Sequence, residues 1–270
     1  RDRLRSRGLG DVYKRQNVDT ISNNIANVNT TGYKTEKTEF KSLLYQNLQA
    51  RTTTANGANK PIPAQVGLGT RVASNTSMFT QGAMLASESD TAFAIDGEGF
   101  FAVRGADGNT YYTRNGNFTW SIGNDGVILT NSDGYPVLDS RGNMIRKPDG
   151  VAAEKVSVTS QGQFYYRDAQ GNPVDMNQSI GLFQFNNPAG LEKMQDSLLR
   201  VTDASGNPMN EATAAGLDRS NVRQGYLEGS NVQVADEMVN LIIAQRAYEL
   251  NSKAIQASDD MLSQANQLRR

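Results

Sequence analysis

One long helix is predicted by the run VQVADEMVNLIIAQRAYELNSKAIQASDDMLSQANQL, residues 232–268, which contains neither Gly nor Pro. An apolar side chain recurs every seven positions along it: Leu241, Tyr248, Ile255 and Leu262. A second apolar row runs beside the first: Ala247, Ala254, Met261 and Leu268. A helix of this length extends about 55 Å. Because two adjacent rows form a face wider than a two-stranded coiled coil requires, we expect the helix to pack against more than one partner helix.

A shorter apolar seam lies near the other end of the chain, at helical spacing: Val18, Ile21, Ile25 and Val28. The sequence NTTGYK at residues 29–34 then stops this helix, with Gly32 suited to the left-handed position that follows a helix. Pairing of the two ends within one subunit would leave apolar rows for neighbouring subunits. We therefore predict that both seams form a self-assembly interface, and that repeated lateral contacts build a helical tube.

Amide side chains accompany both seams and are candidates for fixing the register of these contacts by hydrogen bonds: Asn24, Asn27, Asn240, Gln245 and Asn251. The alternative is that these amides face solvent, which is the commoner position for polar side chains. Asp236 and Glu237 lie where the positive end of the helix dipole favours carboxylates.

The segment between the helices has a different texture. Residues 50–75 are poor in apolar side chains and carry Pro61 and Pro63, which indicates an extended connector. From Phe93 to about Val201, short apolar runs alternate with turn-forming pairs, each tolerant of the positive φ of tight turns. The pairs are Asp96-Gly97, Asp107-Gly108, Asn115-Gly116, Asp125-Gly126, Asp133-Gly134 and Asp149-Gly150.

The predicted fold class is α+β. Terminal amphipathic helices pair as a coiled-coil-like stalk, joined by an extended connector to a central, mostly antiparallel β domain. The expected segments are a non-native or disordered arm at 1–16, an N-terminal helical segment at 17–49, an extended connector at 50–92, a β domain at 93–215, and a C-terminal connector with the long helix at 216–270. The arm carries six basic and two acidic residues, and the rest of the chain has a net charge of −5.

The chain contains no Cys and no His, which removes thiolate chemistry, disulfides, the commonest general base and the commonest transition-metal ligand. Glu36 with Glu39, Asp236 with Glu237, and Lys253 are the remaining candidates for catalysis, but none has a companion motif. We predict a protein that is not an enzyme, with no catalytic residue, no cofactor and no metal site. The basic arm lacks interleaved aromatic side chains, so no nucleic-acid partner is expected.

Several motifs resemble those of the bacterial flagellar rod and hook proteins. They are NNIANVNTTGYKTEKTEF at 23–40, LLYQ at 43–46, AIDGEGFFAV at 94–103, TRNGNFT at 113–119, DGYPVL at 133–138 and GYLEGSNVQVADEMVNLIIAQRAYELNSKAI at 225–255. The resemblance runs from about Asn17 to Leu268. Chain length and the stretch TEFKSLLYQ are more similar to the distal rod than to the longer hook, with a proximal-rod or hook paralogue as the alternative.

The resemblance implies a structural subunit of the flagellar axial structure, which transmits torque to the hook. It implies export by the flagellar type III apparatus and a place in the basal body outside the inner membrane, in the periplasm or cell-wall zone. The implied partners are copies of the chain in a helical tube, other rod and hook subunits, surrounding ring proteins and the export apparatus. A family member would also have a longer amphipathic helix before Asn17.

A hypothesis of another class is a secreted cell-wall or carbohydrate-binding module built on the β domain. Trp120 with Tyr111 and Tyr112 would form its aromatic platform. This hypothesis requires those rings to be exposed, whereas the rod hypothesis requires assembly that depends on both ends of the chain.

Overall fold

The computed structural model describes residues 15–47, 65–67, 70–123, 126–168, 170–214 and 216–267. The described residues divide into two compact units. The first is formed by the segment up to Ala26, by Glu36–Thr76 and by the segment from Gln233 onward. The second is formed by Asn27–Thr35 and Ser77–Val232. Each unit therefore combines segments that are far apart in the sequence.

The first unit is built on two helices. Helix α1 covers residues 15–26, and helix α2 spans Val234–Gln267. Four short strands accompany them: β1 (Glu36–Ser42), β2 (Tyr45–Asn47), β3 (Gln65–Gly67) and β4 (Thr70–Ser77). Strand β1 pairs with β4, and β2 pairs antiparallel with β3. Since α2 lacks both Gly and Pro, nothing in its backbone chemistry interrupts its 34 residues.

The second unit consists of strands. They are β5 (Met84–Ala86), β6 (Phe93–Asp96), β7 (Phe100–Arg104), β8 (Thr110–Thr113), β9 (Thr119–Gly123), β10 (Gly126–Thr130), β11 (Arg146–Lys147), β12 (Val156–Val158), β13 (Gln163–Arg167), β14 (Pro173–Ser179), β15 (Leu182–Gln184), β16 (Glu192–Lys193), β17 (Leu199–Arg200), β18 (Met209–Asn210), β19 (Asn221–Gln224) and β20 (Tyr226–Glu228). Three short 3₁₀ turns lie among them, at Ala153–Lys155, Pro188–Gly190 and Gln195–Ser197.

Antiparallel pairing joins these strands into several small sheets. One has the order β16-β17-β8-β7-β15-β18, and two others have the orders β11-β10-β9 and β12-β13-β14. Two ribbons complete the unit, β19 with β6 and β20 with β5. The last two bring the C-terminal end of the unit, residues 221–228, onto strands that come early in it.

Strand β7 is buried on both of its faces. Successive side chains of a strand point to opposite sides, so Phe101 and Val103 enter one apolar cluster while Phe100 and Ala102 enter another. Ring contacts consolidate each cluster, such as Phe101 with Phe118 at 5.1 Å between centroids. Burial on both faces explains why FFAV reads as a continuous apolar run rather than as an alternating one.

The helices near both ends and the antiparallel β unit confirm the α+β class.

The predicted Asp-Gly and Asn-Gly turn pairs fall into two groups. Gly108, Gly134 and Gly150 have the positive φ that the sequence predicts. The interpretation of Asn115-Gly116 as a tight turn is wrong, because a Cβ on Gly116 would lie 1.7 Å from the Phe93 carbonyl oxygen and its φ is not positive. Here glycine permits close approach of two backbones instead.

The predicted segments fall differently on the two units. Residues 93–215 lie within the second unit, which also includes the short piece Asn27–Thr35 from the N-terminal side. The predicted connector at 50–92 contains strands β3, β4 and β5, and its residues 50–64 lie outside the described part, as does most of the predicted arm. In the described residues, no helix is both long enough and apolar enough to span a membrane.

Candidate self-assembly site

Helix α1 lies beside the first half of α2 in the first unit. Ile21 of α1 is 6 % exposed, and Ala244 of α2 is 8 % exposed. Both residues line one groove, together with side chains of β1. The small Ala244 side chain permits this approach, since a methyl group leaves room for a facing helix.

Asn24 connects three elements through one buried amide. Asn24 is only 1 % exposed. Its Oδ1 accepts a hydrogen bond from the Glu36 backbone N–H at 2.9 Å, and its Nδ2 donates to the Glu36 carbonyl oxygen at 2.9 Å. Nδ2 also donates to Glu237 Oε2 at 3.3 Å. The amide thus connects α1 to the start of β1 and to the first turn of α2. Its hydrogen bonds matter because a buried polar group with partners costs far less free energy than one without.

The groove between α1, β1 and α2 has a volume of about 710 Å³. On α2 it is lined by residues spaced four, three and four apart: Asn240, Ala244, Ala247 and Asn251. Phe40 of β1 and Ile243 of α2 stand at its edges with 44 % and 61 % of their surface exposed. The groove is therefore floored by small and amide side chains and bordered by large apolar ones.

The predicted apolar residues of the N-terminal seam are largely covered. Ile21 is buried, while Val18 and Ile25 are half-buried. Val18 lines a small cleft with Tyr248 and Gln245 of α2. Val28 is half-buried as well, but it lies beyond the end of α1 and belongs to the second unit.

The predicted residues of α2 are covered to different degrees. Leu241 and Ile255 are half-buried, whereas Tyr248 is 40 % exposed. Met261 and Leu262 are 64 % and 60 % exposed. Leu268 lies outside the described residues.

The amide candidates separate into three environments. Asn24 is buried as described above, and Asn27 lies in the second unit, where its Oδ1 accepts a hydrogen bond from Thr30 Oγ1 at 3.1 Å. Asn240 and Asn251 are exposed and line the groove. Gln245 is exposed at the cleft beside Val18.

Sequence reasoning missed part of the apolar surface of α2. Beyond the two predicted rows, large exposed side chains occur around the first half of this helix: Met238, Val239, Ile242, Ile243 and Leu250. The signal was present in the run MVNLII at residues 238–243, which has one polar residue in six. A helix that is apolar on all sides is ordinarily a buried one, whereas these side chains of α2 are exposed in the part of the chain that the structure describes.

In the second unit, a buried ionic cluster holds the segment Asn27–Thr35. Lys34 Nζ lies 2.6 Å from Glu228 Oε1, and Arg114 Nη1 lies 3.2 Å from Glu228 Oε2. Lys34, Arg114 and Glu228 are 6 %, 4 % and 1 % exposed, respectively. Burial lowers the pKa of the Lys34 ammonium, and the neighbouring Glu228 carboxylate opposes that shift.

Asn231 joins further segments of the same unit. Its Oδ1 accepts hydrogen bonds from the N–H and the Oγ1 of Thr35, both at 2.7 Å. Its Nδ2 donates to the Met78 carbonyl oxygen at 2.8 Å and to Thr80 Oγ1 at 2.7 Å. One side chain therefore binds together three stretches of the second unit, at residues 35, 78–80 and 231.

Of the three rings that the carbohydrate-binding hypothesis requires to be exposed, two are buried and Trp120 is half-buried. Tyr111 and Tyr112 are 9 % and 4 % exposed, and Trp120 packs against the larger apolar cluster. Three of the carboxylates considered for catalysis accept hydrogen bonds within the subunit: Glu36 from Asn75, Glu39 from Ser74 and Glu237 from Asn24. Among the described residues, no group of three or more acidic side chains is placed to hold a metal ion.

Three models of protein families match the chain, one for each of its main parts. They are "Flagella basal body rod protein" at residues 14–34, "Flagellar hook protein FlgE/F/G D1 domain" at 94–166, and "Flagellar basal body rod FlgEFG protein C-terminal" at 223–268. The first covers α1 with the turn after it, the second covers strands of the second unit, and the third covers β20 and α2.

Similar proteins align over nearly the whole chain. "Flagellar basal-body rod protein FlgG" of Borreliella burgdorferi is 40% identical over 97% of this chain and 96% of its own length. The protein of the same description from Buchnera aphidicola subsp. Schizaphis graminum is 41% identical over 93% of this chain and 94% of its own length. That of Agrobacterium fabrum is 39% identical over 92% and 91%.

Proposed function

The chain belongs to the flagellar basal-body rod protein family, and on that premise we propose that it assembles through its two terminal helices into the distal rod of the bacterial flagellum. It is a structural subunit and not an enzyme. The observation that carries the mode of assembly is the surface of α2, on which Met238, Val239 and Ile242 are exposed in the part of the chain that the structure describes.

In the proposed rod, α1 and α2 of each subunit pair in a coiled-coil-like manner and stand in the wall of a helical tube. The buried amide of Asn24 supports this pairing, because it fixes α1 along α2 at one register. Exposed apolar residues of α2 then meet neighbouring subunits, and the rows that include Tyr248, Ile255 and Leu262 contribute to these contacts.

The proposed function implies a cellular location and a set of partners for the chain. It lies in the flagellar basal body, and we place it outside the inner membrane, where type III export would deliver it. Its partners are other copies of itself, adjoining rod and hook subunits, and the rings that surround the shaft. The relatives named FlgG at about 40% identity support a distal-rod position over a hook or proximal-rod position.

Deletion of the gene tests this function. Electron microscopy of basal bodies from the deletion strain should show rods that end short of their distal part and carry no hook. Expression of the unaltered chain from a plasmid should restore complete rods and motility. Complete rods in the deletion strain would contradict the proposed function.

A further inference from the structure

We propose that Asp149-Gly150 is a site of spontaneous covalent modification, at which Asp149 converts to isoaspartate through a cyclic imide. Such a reaction occurs at Asp-Gly and Asn-Gly pairs because glycine has no side chain to obstruct its backbone nitrogen. It needs only water and does not depend on the proposed function. Asn56-Gly57 and Asp125-Gly126 include residues outside the described part of the chain, and the fold discriminates among the five other pairs.

The reaction begins when the Gly150 backbone nitrogen attacks Cγ of the protonated Asp149 carboxyl group. A bond forms between this nitrogen and Cγ, and the carboxyl hydroxyl leaves with the amide hydrogen as water. A second water molecule then breaks the bond between the nitrogen and the Asp149 main-chain carbonyl carbon. The chain now continues through Cγ, which is isoaspartate. One water is lost and one is gained, so the mass is unchanged and nothing is oxidised or reduced.

The turn at residues 148–151 leaves the attacking nitrogen free. The Val151 N–H donates to the Pro148 carbonyl oxygen at 3.4 Å, so Asp149 and Gly150 occupy the second and third positions of this turn, which do not make its hydrogen bond. Within the described residues, neither the Gly150 N–H nor the Asp149 carboxylate has a hydrogen-bond partner. Both residues are exposed, and a Cβ on Gly150 would meet nothing within 4 Å. Nothing in the surroundings therefore obstructs the approach of the nitrogen to Cγ.

Two other turns place the Asp-Gly pair one position later. The Gly108 N–H donates to the Gly105 carbonyl oxygen at 3.0 Å, and the Gly134 N–H donates to the Asn131 carbonyl oxygen at 3.1 Å. In both pairs the turn hydrogen bond therefore holds the nitrogen that would have to attack. Asp133 is held as well, because its Oδ2 accepts a hydrogen bond from Asn131 Nδ2 at 3.0 Å.

The carboxylate of Asp107 is protected further. It accepts hydrogen bonds from the Tyr111 hydroxyl at 2.8 Å and from the Asn109 backbone N–H at 3.1 Å. The hydrogen bond from Tyr111, together with those from Asn109, lowers the pKa of the Asp107 carboxyl. Since the protonated carboxyl is the form that loses water, a lower pKa leaves less of the reactive form at a given pH.

Asp96-Gly97 is fixed by packing and by an ion pair. Asp96 Oδ2 lies 2.9 Å from Arg223 Nη2, and the Gly97 N–H donates to Gln81 Oε1 at 3.4 Å. A Cβ on Gly97 would lie only 2.5 Å from Ser220 Oγ. Ring closure requires rotation of the backbone between the two residues of the pair, and these contacts oppose it.

Asn115-Gly116 would react fastest in an unfolded chain, because an amide loses ammonia more readily than a carboxyl group loses water. In the folded chain Gly116 is buried, and a Cβ on it would lie 1.7 Å from the Phe93 carbonyl oxygen. Asn115 Oδ1 accepts a hydrogen bond from the Asn117 N–H at 3.1 Å. The fold thus suppresses the pair that is chemically the most reactive and leaves a slower one, at Asp149, free to react.

Ageing of the purified full chain tests the assignment. One sample stays folded and another is unfolded in guanidinium chloride, both at mildly acidic pH and physiological temperature, until the unfolded sample shows clear conversion. Trypsin releases residues 147–155 as one peptide, and chromatography with mass spectrometry separates its isoaspartyl form at unchanged mass. In the folded chain we expect conversion at Asp149 to exceed that at Asp96, Asp107 and Asp133 at least several-fold. Unfolding should bring the four sites to comparable rates.

The variant Asp149→Glu is the matched control, because it keeps the charge but would have to close a larger and less favourable ring. Its folded, aged sample should give no isomer of the peptide 147–155. Conversion of Asp107 or Asp133 as fast as that of Asp149 in the folded chain, or no conversion of Asp149, would overturn the assignment. Deamidation of Asn115 at equal rates in the folded and unfolded samples would also contradict it.

Discussion

The carboxylate of Glu228 accepts hydrogen bonds from three donors in the interior of the second unit. Lys34 Nζ and Arg114 Nη1 are two of them, and the Gly82 backbone N–H is the third, at 2.9 Å. Arg114 also donates to the Gly97 carbonyl oxygen at 2.7 Å and lies over the Phe100 ring. Two buried cations thus depend on one buried anion, so removal of the anion leaves them uncompensated.

The substitution Glu228→Gln measures this dependence. Glutamine keeps the shape of the side chain but removes its charge, and we expect the free energy of unfolding to fall by about 3–5 kcal/mol. Urea unfolding of the full chain gives the value. The matched control is Glu192→Gln, which removes an exposed partner of Arg200 and should cost less than about 1 kcal/mol. Equal small losses for the two variants would show that the cluster contributes nothing beyond a surface ion pair.

Asn24 is the corresponding residue of the first unit. Asn24→Leu retains a helix-forming side chain of similar size but leaves the Glu36 backbone N–H without its acceptor. We expect the free energy of unfolding to decrease by about 1–3 kcal/mol. Ser22→Leu, at an exposed position of α1, serves as the control and should change stability little. A loss for Ser22→Leu as large as that for Asn24→Leu would argue against a special role of the buried amide.

The burial of Tyr112 leads us to predict how the free energy of unfolding changes with pH in the alkaline range. Burial raises the pKa of Tyr112 to about 12, whereas an unfolded tyrosine ionises near pH 10. Between these values the folded chain holds a proton that the unfolded chain has lost, so stability falls as pH rises. Tyr112→Phe should therefore lose less stability than the unaltered chain between pH 8 and pH 11.5, measured by thermal unfolding. Parallel losses in the two proteins would contradict this reasoning.

At the scale of elements, the sequence predicts the helices more completely than the turns. The seam from Val18 to Ile25 lies in α1, and the Gly-free and Pro-free run becomes α2. The antiparallel strands expected between Phe93 and about Val201 are present, with β12, β13 and β15 among them. Periodicity reports local geometry, and it is strongest in long elements. It carries no information on which distant segments meet.

Long-range contacts are what the sequence did not reveal. A lysine at position 34 and a glutamate at position 228 read as surface residues, since charged side chains are rarely buried. Their pairing depends on a fold that brings residues 27–35 onto β20, and no local pattern encodes it. For the same reason, the role of Asn231 in joining Thr35 to Thr80 was not predictable, and neither was the contact of Asn24 with Glu36 and Glu237.

Gly32 lies where local geometry and long-range packing act together. Its φ is +71°, and a Cβ at this position would lie 2.8 Å from the Arg114 carbonyl carbon and the Asn115 nitrogen. Gly134 has a φ of +84° but nothing within 4 Å of such a Cβ. We expect Gly134→Ala to cost about 1–2 kcal/mol for the backbone conformation alone, and Gly32→Ala to cost clearly more. Chemical unfolding of both variants checks this, and equal costs would mean that the close approach at Gly32 relaxes freely.

At the scale of the whole molecule, the residues that stabilise the β unit differ from those that we assign to assembly. The second unit buries aromatic side chains in two clusters of its own, with Phe101 in one and Phe100 in the other. In the first unit, α2 keeps large apolar side chains on its surface, with Leu250 67 % exposed. Association with other copies is the step that would remove this surface from water. A substitution on α2 should therefore affect assembly much more than it affects the fold of the β unit.

The most direct measurement of this claim uses Ile255→Asp, in a row of α2 that we assign to subunit contacts. The variant is expressed as the sole copy in the deletion strain, and its basal bodies are examined by electron microscopy. Ile122→Asp, at a residue of the second unit that is 91 % exposed, is the control. We expect truncated rods without hooks for Ile255→Asp, complete rods for Ile122→Asp, and an unchanged near-ultraviolet circular dichroism spectrum for both purified chains. Complete rods built from Ile255→Asp would contradict assembly through the terminal helices.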